Sequence, residues 1–333
     1  MSKTVCLAKG TDHYQNITNC LNLIRGDIEK ALIGREKVVI KVNFVSPENE
    51  LAATPIESVT ALLDFLRPIY KKRIQIMETG KNAALGFKNF NYPKLTEKYN
   101  VKLTALDNGN LVPVFVYDVN LKKRIKVEIY QEALSADFLI SITRAKTHNY
   151  GIVTLGLKNI AAGFLKDTSL IHQGYQAFNK NLFLLIKKIQ PDLSIIDATV
   201  GMEGNGPISG QPIKVGWALA SPDALRADII AARLMGFNPK QIGYLHFCLE
   251  AKGFINCLPK VNILGNTPEE CRTKFKPPDD IARQLKWDHS TKGKEKAKIV
   301  FTEKYYSPFK KSRLGQRLNV EPLAQNLKRL LGF

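Results

Sequence analysis

The 333-residue chain is long enough for one large or two ordinary domains, and its 44% hydrophobic residues are sufficient for a sizeable core. The five cysteines include no CxxC pair, which favours a reducing compartment and argues against a cysteine-ligated iron–sulfur cluster or zinc site. No segment is apolar for long enough to span a bilayer, and the N-terminal sequence lacks the apolar core of a signal peptide. We therefore expect a cytoplasmic protein without a membrane span.

The chain is strongly basic, with a formal net charge of +19. The excess is densest from residue 260 onward, where 17 Lys and Arg residues stand against 8 Asp and Glu residues. Such a charge attracts polyanions and anionic ligands, although it is also typical of a protein whose lysines are merely solvated. Aromatic and basic residues alternate within residues 303–313, a pattern typical of base stacking. Because no recognised nucleic-acid motif accompanies the charge, nucleic-acid binding is the second interpretation rather than the first.

The first half of the chain alternates strand-like and helix-like segments. Predicted strands cover residues 38–44, 73–79 and 102–107, and predicted helices cover residues 55–68 and 92–99. The first of these helices has Thr54 as its predicted N-cap and Pro55 at its first helical position. This alternation predicts an α/β protein with a mainly parallel sheet flanked by helices.

An inserted hairpin and a central strand come next. Residues 112–118 and 124–130 predict a β-hairpin, and the apolar run at residues 136–143 predicts an interior strand. The second half contributes predicted strands at 193–199 and 213–221, predicted helices at 181–189, 224–235 and 239–251, and a glycine-rich loop at 200–212.

The periodic pattern weakens after residue 258. Turn and charge signals replace helical or strand periodicity there, apart from one last amphipathic helix predicted over residues 321–331. We therefore assign residues 1–258 to an α/β core and residues 259–333 to an extended, basic C-terminal segment.

Polar residues crowd the end of the predicted central strand. Five of them follow it almost directly: Arg144, Lys146, Thr147, His148 and Asn149. Lys158 and Asn159 then stand at the start of a predicted short helix, after a glycine-containing turn. In open α/β sheets, ligands bind outside the carboxyl ends of the strands, so this crowding predicts a binding site. Two cations and an imidazole suit a small anionic or oxygen-rich ligand, whereas the alternative is a basic, solvated loop.

A second polar group follows the strand at residues 38–44. Lys41, Asn43 and Thr54 cluster at the end of that strand and at the mouth of the next helix. Free N–H groups at a helix N-terminus bind anions, and Lys41 or Asn43 would complete such a site. The alternative for Thr54 is plain helix capping.

A third polar group belongs to the glycine-rich segment after the strand at residues 193–199. Asp197, Glu203 and Asn205 lie at or beyond the end of that strand. They would orient a substrate or bind a cation, or they belong to a structural loop that needs glycine for positive φ angles. Both interpretations carry equal weight.

The chain has five histidines. His148 is the best candidate for an acid/base, because an imidazole titrates near neutrality and cationic neighbours would lower its pKa further. His172 follows another glycine turn and would belong to the site or to a lid. His13 and His289 are predicted surface residues, and His246 is a predicted packed residue of a helix.

Several sequence segments resemble, in order, the family called domain of unknown function three-six-two. They are KVNFVSP, a TP pair that opens a helix, ADFLISITRAKTH, GLKNIAAG, IIDATVGMEGNGPISGQP and PDALRADIIAARLMGF. The resemblance covers residues 36–255 and implies an α/β fold, as one body or as two lobes with a cleft. Many members carry an added ferredoxin-like cysteine cluster that this chain lacks, so electron transfer through a cluster is not expected.

A more distant resemblance is to the nickel-pincer lactate racemases. Those enzymes place a catalytic histidine ten residues before the lysine that carries their cofactor covalently, and His148 and Lys158 have that spacing. The resemblance implies an organic or metal-pincer-type cofactor. The chain departs from the pattern where the racemases have an arginine before a proline, because Thr54 stands before Pro55 here. The residues that flank the lysine also differ.

The residues and resemblances favour an enzyme that acts on a small anionic or hydroxylated substrate by proton or hydride transfer, either as a racemase-like or epimerase-like isomerase or as an oxidoreductase. His148 is its predicted acid/base. Lys158 is predicted to bind cofactor or substrate, as a cation or as an amine nucleophile. The alternatives are a polyanion- or nucleic-acid-binding protein that uses the basic C-terminal segment, and a non-catalytic cofactor carrier. The sequence leaves the substrate, the cofactor and the oligomeric state open.

Overall fold

The structure is a computed structural model that describes residues 3–80 and 83–288. The strands in this part of the chain are β1 (Thr4–Lys9), β2 (Val38–Lys41), β3 (Ile74–Thr79), β4 (Val101–Leu106), β5 (Leu111–Tyr117), β6 (Arg124–Tyr130), β7 (Phe138–His148), β8 (Ile152–Thr154), β9 (Leu193–Asn205), β10 (Ser209–Ser221) and β11 (Asn262–Gly265).

Helices alternate with these strands for most of the described chain. The α-helices are α1 (His13–Leu23), α2 (Arg25–Leu32), α3 (Ile56–Leu66), α4 (Ala83–Asn89), α5 (Pro93–Lys98), α6 (Gln131–Leu134), α7 (Gly156–Ala161), α8 (Tyr175–Lys188), α9 (Ala224–Leu234), α10 (Gly243–Ala251), α11 (Pro268–Cys271) and α12 (Ile281–Gln284). Short 3-10 helices cover Glu50–Ala52, Thr168–Ile171 and Pro239–Gln241.

One mixed, mostly parallel sheet forms the centre of the described structure. Its strand order is β11-β1-β10-β9-β7-β2-β3-β4, with β8 added to β7. The run from β9 through β7, β2 and β3 to β4 is parallel, whereas β10 is antiparallel to both β1 and β9. The two strands predicted to be interior are interior, since β7 lies between β9 and β2 and β9 lies between β10 and β7. The predicted α/β class is therefore confirmed.

Helices cover both faces of this sheet. Ile140 and Ile142 of β7 pack on the side of α1 and α3, whereas Leu139 packs on the side of α7, α8 and α9. Successive side chains of a strand point to opposite faces, so a strand with two covered faces needs apolar residues at every position. This requirement explains the continuous apolar run that made β7 recognisable in the sequence.

The predicted β-hairpin is present as a separate two-stranded sheet of β5 and β6. The Asn181 side chain of α8 anchors it, because the amide both accepts from and donates to the Tyr117 backbone, at 2.8 Å in each case. A bridge between Ile129 and Leu165 joins the hairpin to the segment that follows α7. The hairpin therefore supports the chain beside the functional cleft described below.

β7 is longer than predicted, because it continues through the polar residues to His148. β8 and β9 pair with this polar half, where Lys146 lies opposite Thr154 on one side and Met202 on the other. The pairing satisfies backbone N–H and C=O groups that would otherwise be buried without partners. The strand therefore continues where the sequence turns polar, and side chains expected in a loop are buried in the sheet instead.

The glycine-rich segment predicted as a loop is a second β-hairpin. β9 runs to Asn205 and β10 begins at Ser209, so that residues 206–208 connect them. A Cβ on Gly206 would lie 2.2 Å from the Thr147 carbonyl oxygen, and Gly204 has a φ of 76°. Gly206 is therefore needed where two backbone segments touch, and Gly204 is needed for a left-handed conformation. Both roles agree with the interpretation that the glycines of this segment are structural.

Three helix boundaries also differ from the prediction. α3 begins at Ile56 with Pro55 as its cap residue, and α8 begins at Tyr175 rather than at residue 181. The single helix predicted over residues 239–251 is divided into a 3-10 turn and α10.

Residues 259–288 pack on the rest of the described chain. β11 extends the sheet beyond β1, and Phe275 and Trp287 enter the core. The first part of the predicted C-terminal extension is therefore integrated into the fold. The helix predicted over residues 321–331 and the aromatic, basic segment at residues 303–313 lie outside the described residues.

Candidate functional site

A cleft of about 490 Å³ opens at the carboxyl ends of β2, β3 and β7. The middle of α7 with the segment that follows it, the Thr168–Ile171 turn and the tip of the β9–β10 hairpin complete its walls. The predicted site residues that line it are Asn43, His148, Lys158, Asn159 and His172. Strand ends are where open α/β sheets bind ligands, so the position of the cleft agrees with the site expected from the sequence.

Lys158 enters the cleft from the short helix α7. The carboxyl group of Asp228 accepts hydrogen bonds from Gly156 N at 2.9 Å and from Leu157 N at 3.2 Å, which fixes the start of this helix. The described residues give the Lys158 ammonium no hydrogen-bond or ion-pair partner. Burial lowers the pKa of Lys158 to about 8, because a desolvated ammonium is less stable than a neutral amine.

His148, at the end of β7, is held by the backbone that follows it. Its Nδ1 accepts hydrogen bonds from Tyr150 N at 3.0 Å and from Gly151 N at 3.2 Å. Burial lowers the pKa of His148 well below its usual value, and the positive charge of Lys158 lowers it further. The imidazole is therefore neutral at physiological pH.

His172 faces the same cleft from the turn that precedes α8. Its Nδ1 donates a hydrogen bond to the Thr168 carbonyl at 2.7 Å. The two imidazole centroids are 6.3 Å apart with their planes at 25°, and Phe178 stacks beside both rings. Burial, followed by the charge of Lys158, lowers the pKa of His172 to about 4. Both cleft histidines are consequently neutral.

Glu78, which was not selected from the sequence, lies in the cleft wall at the end of β3. One carboxylate oxygen accepts from the Lys41 ammonium at 2.7 Å, and the other accepts from Phe44 N at 3.0 Å. Burial lowers the pKa of Lys41, while the charge of Glu78 opposes that shift. The sequence signal for Glu78 is a single glutamate directly after the apolar strand segment IQIM, which is too common a pattern to select it.

Lys146 and Thr54 lie behind the cleft rather than in it. The Lys146 ammonium donates to the side-chain oxygen of Asn43 and to Ala52 O. Burial, together with the charges of neighbouring cations, lowers its pKa well below the usual value. The Thr54 hydroxyl accepts from Asn43 N at 2.9 Å and donates to Ile142 O at 3.0 Å, so Thr54 does not cap α3. These residues support the cleft wall.

The two polar atoms of the Asn159 side chain differ, because Nδ2 is hydrogen-bonded within the fold and Oδ1 is not. Its Nδ2 donates to Lys41 O at 3.2 Å and to the Ser141 hydroxyl at 3.1 Å. Its Oδ1 is buried and has no hydrogen-bond partner among the described residues. Because buried polar atoms are usually paired, this oxygen is a candidate acceptor for a ligand group in the cleft.

The third predicted group lies outside the cleft. Glu203 accepts from Lys276 N at 2.7 Å, and Asn205 exchanges two hydrogen bonds with Asp279. Both residues therefore bind the C-terminal part of the described chain. They were predicted to orient a substrate or bind a cation, but they do not line the cleft. Their position follows from the hairpin that forms in place of the predicted loop.

Asp197 also lies outside the cleft, in a closed cluster with His13. The carboxylate is fully buried and lies 2.6 Å from His13 Nδ1. It also accepts from the Ser58 hydroxyl and from Thr199 N. Burial alone would raise the pKa of Asp197, but these hydrogen bonds and His13 lower it below its usual value. His13 is thus a partner of a buried carboxylate rather than the surface residue expected.

The site and fold together define an α/β protein with an open cleft at its strand ends. The chain belongs to the family described as Domain of unknown function (DUF362), which matches residues 38–233, more than half of the chain. The family expected from the sequence motifs is confirmed. Its description assigns no activity.

Two further similarities are more distant. A thylakoid-associated protein of Synechocystis sp. is 27% identical over 216 residues, which cover 62% of this chain and 65% of that protein, slightly less than two thirds of its length. The lactate racemase apoprotein from Thermoanaerobacterium thermosaccharolyticum has a TM-score of 0.41 and 12% identity over 70% of this chain and 57% of that one. Similarity at this level transfers neither activity nor cofactor. In residues 3–80 and 83–288, no helix combines the length and apolar character needed to cross a membrane.

Thr54, which was predicted to contribute to an anion site at the mouth of a helix, does not fit that role. Thr54 is 1% exposed, and its hydroxyl is used by the backbone of β7 and of the segment after β2. It presents neither a charge nor a free donor to the cleft. Lys158, by contrast, has an amine that is available in the cleft.

Proposed function

We propose that this protein is an enzyme that transfers a proton on a small anionic substrate held in the cleft. The observation that carries the proposal is Lys158, whose ammonium has no partner among the described residues while two neutral imidazoles line the same cleft. An unpaired, desolvated cation costs folding free energy, so its presence in a cleft favours a functional role.

The charges around the cleft support an anionic substrate. Lys41 and Lys146 lie behind its wall. The two acidic lining residues are already engaged, since Glu78 binds Lys41 and Asp167 caps the Thr168–Ile171 turn. A carboxylate or another small anion beside Lys158 would offset the repulsion among these cations. Because the cleft is partly shielded from water, that interaction is stronger than it would be at an open surface.

The two histidines support proton transfer rather than another reaction of the same substrate. A neutral imidazole both donates and accepts a hydrogen bond, and each cleft ring has one nitrogen fixed by the backbone. The remaining nitrogen of each ring has no partner among the described residues. We therefore favour an isomerase of the racemase or epimerase type, in which His148 and Lys158 contact the substrate.

The direct test combines binding with hydrogen exchange. Wild-type protein would be titrated calorimetrically with small 2-hydroxy, 2-amino and 2-oxo carboxylates. The same compounds would then be incubated with it in D2O, and NMR would follow exchange of the hydrogen on the carbon next to the carboxylate or, for the 2-oxo acids, next to the keto group. We expect at least one class to bind and to exchange, and Lys158→Ala to lose both.

Lys214→Ala is the matched control, since it removes an exposed lysine of β10 that lies outside the cleft. It should retain wild-type binding and exchange. Equal binding and exchange by wild type and Lys158→Ala would contradict the proposed function, as would the absence of exchange with every compound tested.

A further inference from the structure

His148 and His172 are fixed by opposite kinds of hydrogen bond. A backbone N–H can only donate, so His148 Nδ1, which receives N–H groups from Tyr150 and Gly151, must be the unprotonated nitrogen. The hydrogen of the neutral His148 ring is therefore on Nε2. In the cleft, this histidine is a hydrogen-bond donor.

His172 has the reverse arrangement. A carbonyl oxygen can only accept, so His172 Nδ1 must carry the hydrogen that it donates to Thr168 O. Nε2 of the neutral ring then holds a lone pair. The described residues give this nitrogen no hydrogen bond, and the ring lines the cleft beside that of His148.

We propose that the two histidines divide the reaction, with His172 Nε2 accepting the substrate proton and the His148 Nε2–H group donating a hydrogen bond to the substrate oxygen. This division rests on the proposed function. It reverses the role expected for His148 from the sequence, because that ring has no free lone pair in the cleft while its Nδ1 holds the Tyr150 and Gly151 N–H groups.

The tautomers also define the class of substrate. It is a small acid whose carbon next to a carboxylate or carbonyl group bears a hydrogen. The C–H bond breaks and a new N–H bond forms at His172 Nε2. The electron pair of the C–H bond forms a carbon–carbon double bond, and the π pair of the carbonyl or carboxylate group moves onto its oxygen. The His148 Nε2–H group and the Lys158 ammonium stabilise the charge on that oxygen. Return of the proton to the same carbon restores the free enzyme, without oxidation or reduction.

Stacking holds the two rings in these roles. Phe178 lies 6.0 Å from the His148 ring and 4.8 Å from the His172 ring, and Tyr150 lies 5.1 Å from the His172 ring. Packing on both rings restricts rotation about their side-chain bonds. The lone pair of His172 Nε2 and the His148 Nε2–H group therefore both face the cleft and do not hydrogen-bond to each other.

The tautomers can be measured without knowledge of the substrate. Long-range ¹H–¹⁵N NMR of the full-length protein at pH 7 distinguishes Nδ1–H from Nε2–H imidazoles, and His148→Gln and His172→Gln assign the signals. We expect His148 in the Nε2–H form and His172 in the Nδ1–H form. His246 is an internal reference, because its Nδ1 also donates to a carbonyl, that of Lys240 at 3.0 Å. An Nδ1–H form of His148 or an Nε2–H form of His172 would overturn the division.

Measurements of hydrogen exchange test the division of roles between the two histidines independently of the proposed function. His172→Gln should slow exchange at the substrate carbon by about 100-fold or more while its Kd changes only a few-fold, because it removes the proton acceptor alone. His246→Gln, a histidine outside the cleft, should exchange at the wild-type rate. Unchanged exchange in His172→Gln would overturn the division alone. Absence of exchange in wild-type protein that has both expected tautomers would instead overturn the proposed function.

Discussion

Two clusters of titratable side chains lie on the same sheet and differ in how their polar atoms are used. Around Asp197, the His13 ring, the Ser58 hydroxyl and Thr199 N all bind the carboxylate. In the cleft, the Lys158 ammonium and one nitrogen of each imidazole have no partner among the described residues. One cluster is closed and the other is open.

This difference in pairing indicates which cluster stabilises the fold and which is available for function. A buried charge that is fully paired holds distant segments together, and removing one partner leaves the others unsatisfied. An unpaired charge contributes nothing to the fold and costs free energy until a ligand arrives. We therefore expect substitutions in the closed cluster to lower stability, and substitutions in the open cluster to weaken binding without lowering stability.

The largest expected effect is loss of stability in Asp197→Ala. The substitution leaves His13, Ser58 and Thr199 N without their common acceptor, so the free energy of unfolding should fall by about 3–5 kcal/mol. Urea denaturation followed by circular dichroism measures it. Asp279→Ala, which alters an exposed partner of Asn205, should cost less than about 1 kcal/mol. A loss in Asp197→Ala no larger than in this control would remove the distinction between the clusters.

The opposite effect is expected for Lys158→Met. At pH 7 the folded protein holds a partly buried ammonium that the unfolded chain exposes to water, and the lowered pKa of about 8 reflects this cost. Replacement by an apolar side chain of similar length should raise the free energy of unfolding by about 2 kcal/mol. Lys214→Met provides the comparison at an exposed position. A destabilised Lys158→Met protein would show that the lysine supports the fold instead.

The pH dependence of ligand binding tests which form of Lys158 acts. If the ammonium binds the anion, affinity should be constant below about pH 8 and fall about tenfold per pH unit above it, since deprotonation removes the charge. Turnover should also fall below about pH 4, where His172 becomes protonated and can no longer accept a proton. Calorimetric titration from pH 6 to pH 10 measures the first limb. Affinity that stays constant to pH 10 would exclude the ammonium as the anion-binding group.

An effect on stability that is spread over several pH units is expected at Asp228, which anchors α7. Burial raises the pKa of this carboxyl to about 8, although the Gly156 and Leu157 N–H groups oppose the shift. A raised folded-state pKa means that stability is greatest below the unfolded value and declines as pH rises towards 8, by about 1 kcal/mol per pH unit. Asp228→Asn keeps an acceptor for both N–H groups and should lack most of this decline. Unfolding midpoints between pH 5 and pH 9 compare the two proteins, and parallel curves would contradict the assignment.

The elements with continuous or periodic apolar patterns could be predicted from the sequence. β7 and the helix α3 were recognisable because burial on one or two faces requires apolar residues at fixed intervals. The polar half of β7 was not recognisable, because its pairing with β8 and β9 overrides its local composition. The β9–β10 hairpin was not predicted because its glycines, which permit close backbone approach, resemble the glycines of a loop.

The candidate site shows a similar division. His148, Lys158 and Asn159 were selected because polar residues follow an apolar strand, and they line the cleft. Glu78 was missed because a single glutamate at the end of a strand carries no distinctive spacing. Asp197 was placed in the wrong group because its partner His13 lies 184 positions away in the chain.

The sequence by itself determined the class of fold, the family and the small set of polar residues near strand ends, because burial and chain connectivity act through local patterns. Only the tertiary structure decided which of those residues are paired and which are open. Partners such as Asp228 for the start of α7 come from distant parts of the chain, and sequence spacing carries no record of them. The protonated nitrogen of each cleft imidazole was likewise set by backbone groups whose directions exist only in the folded chain.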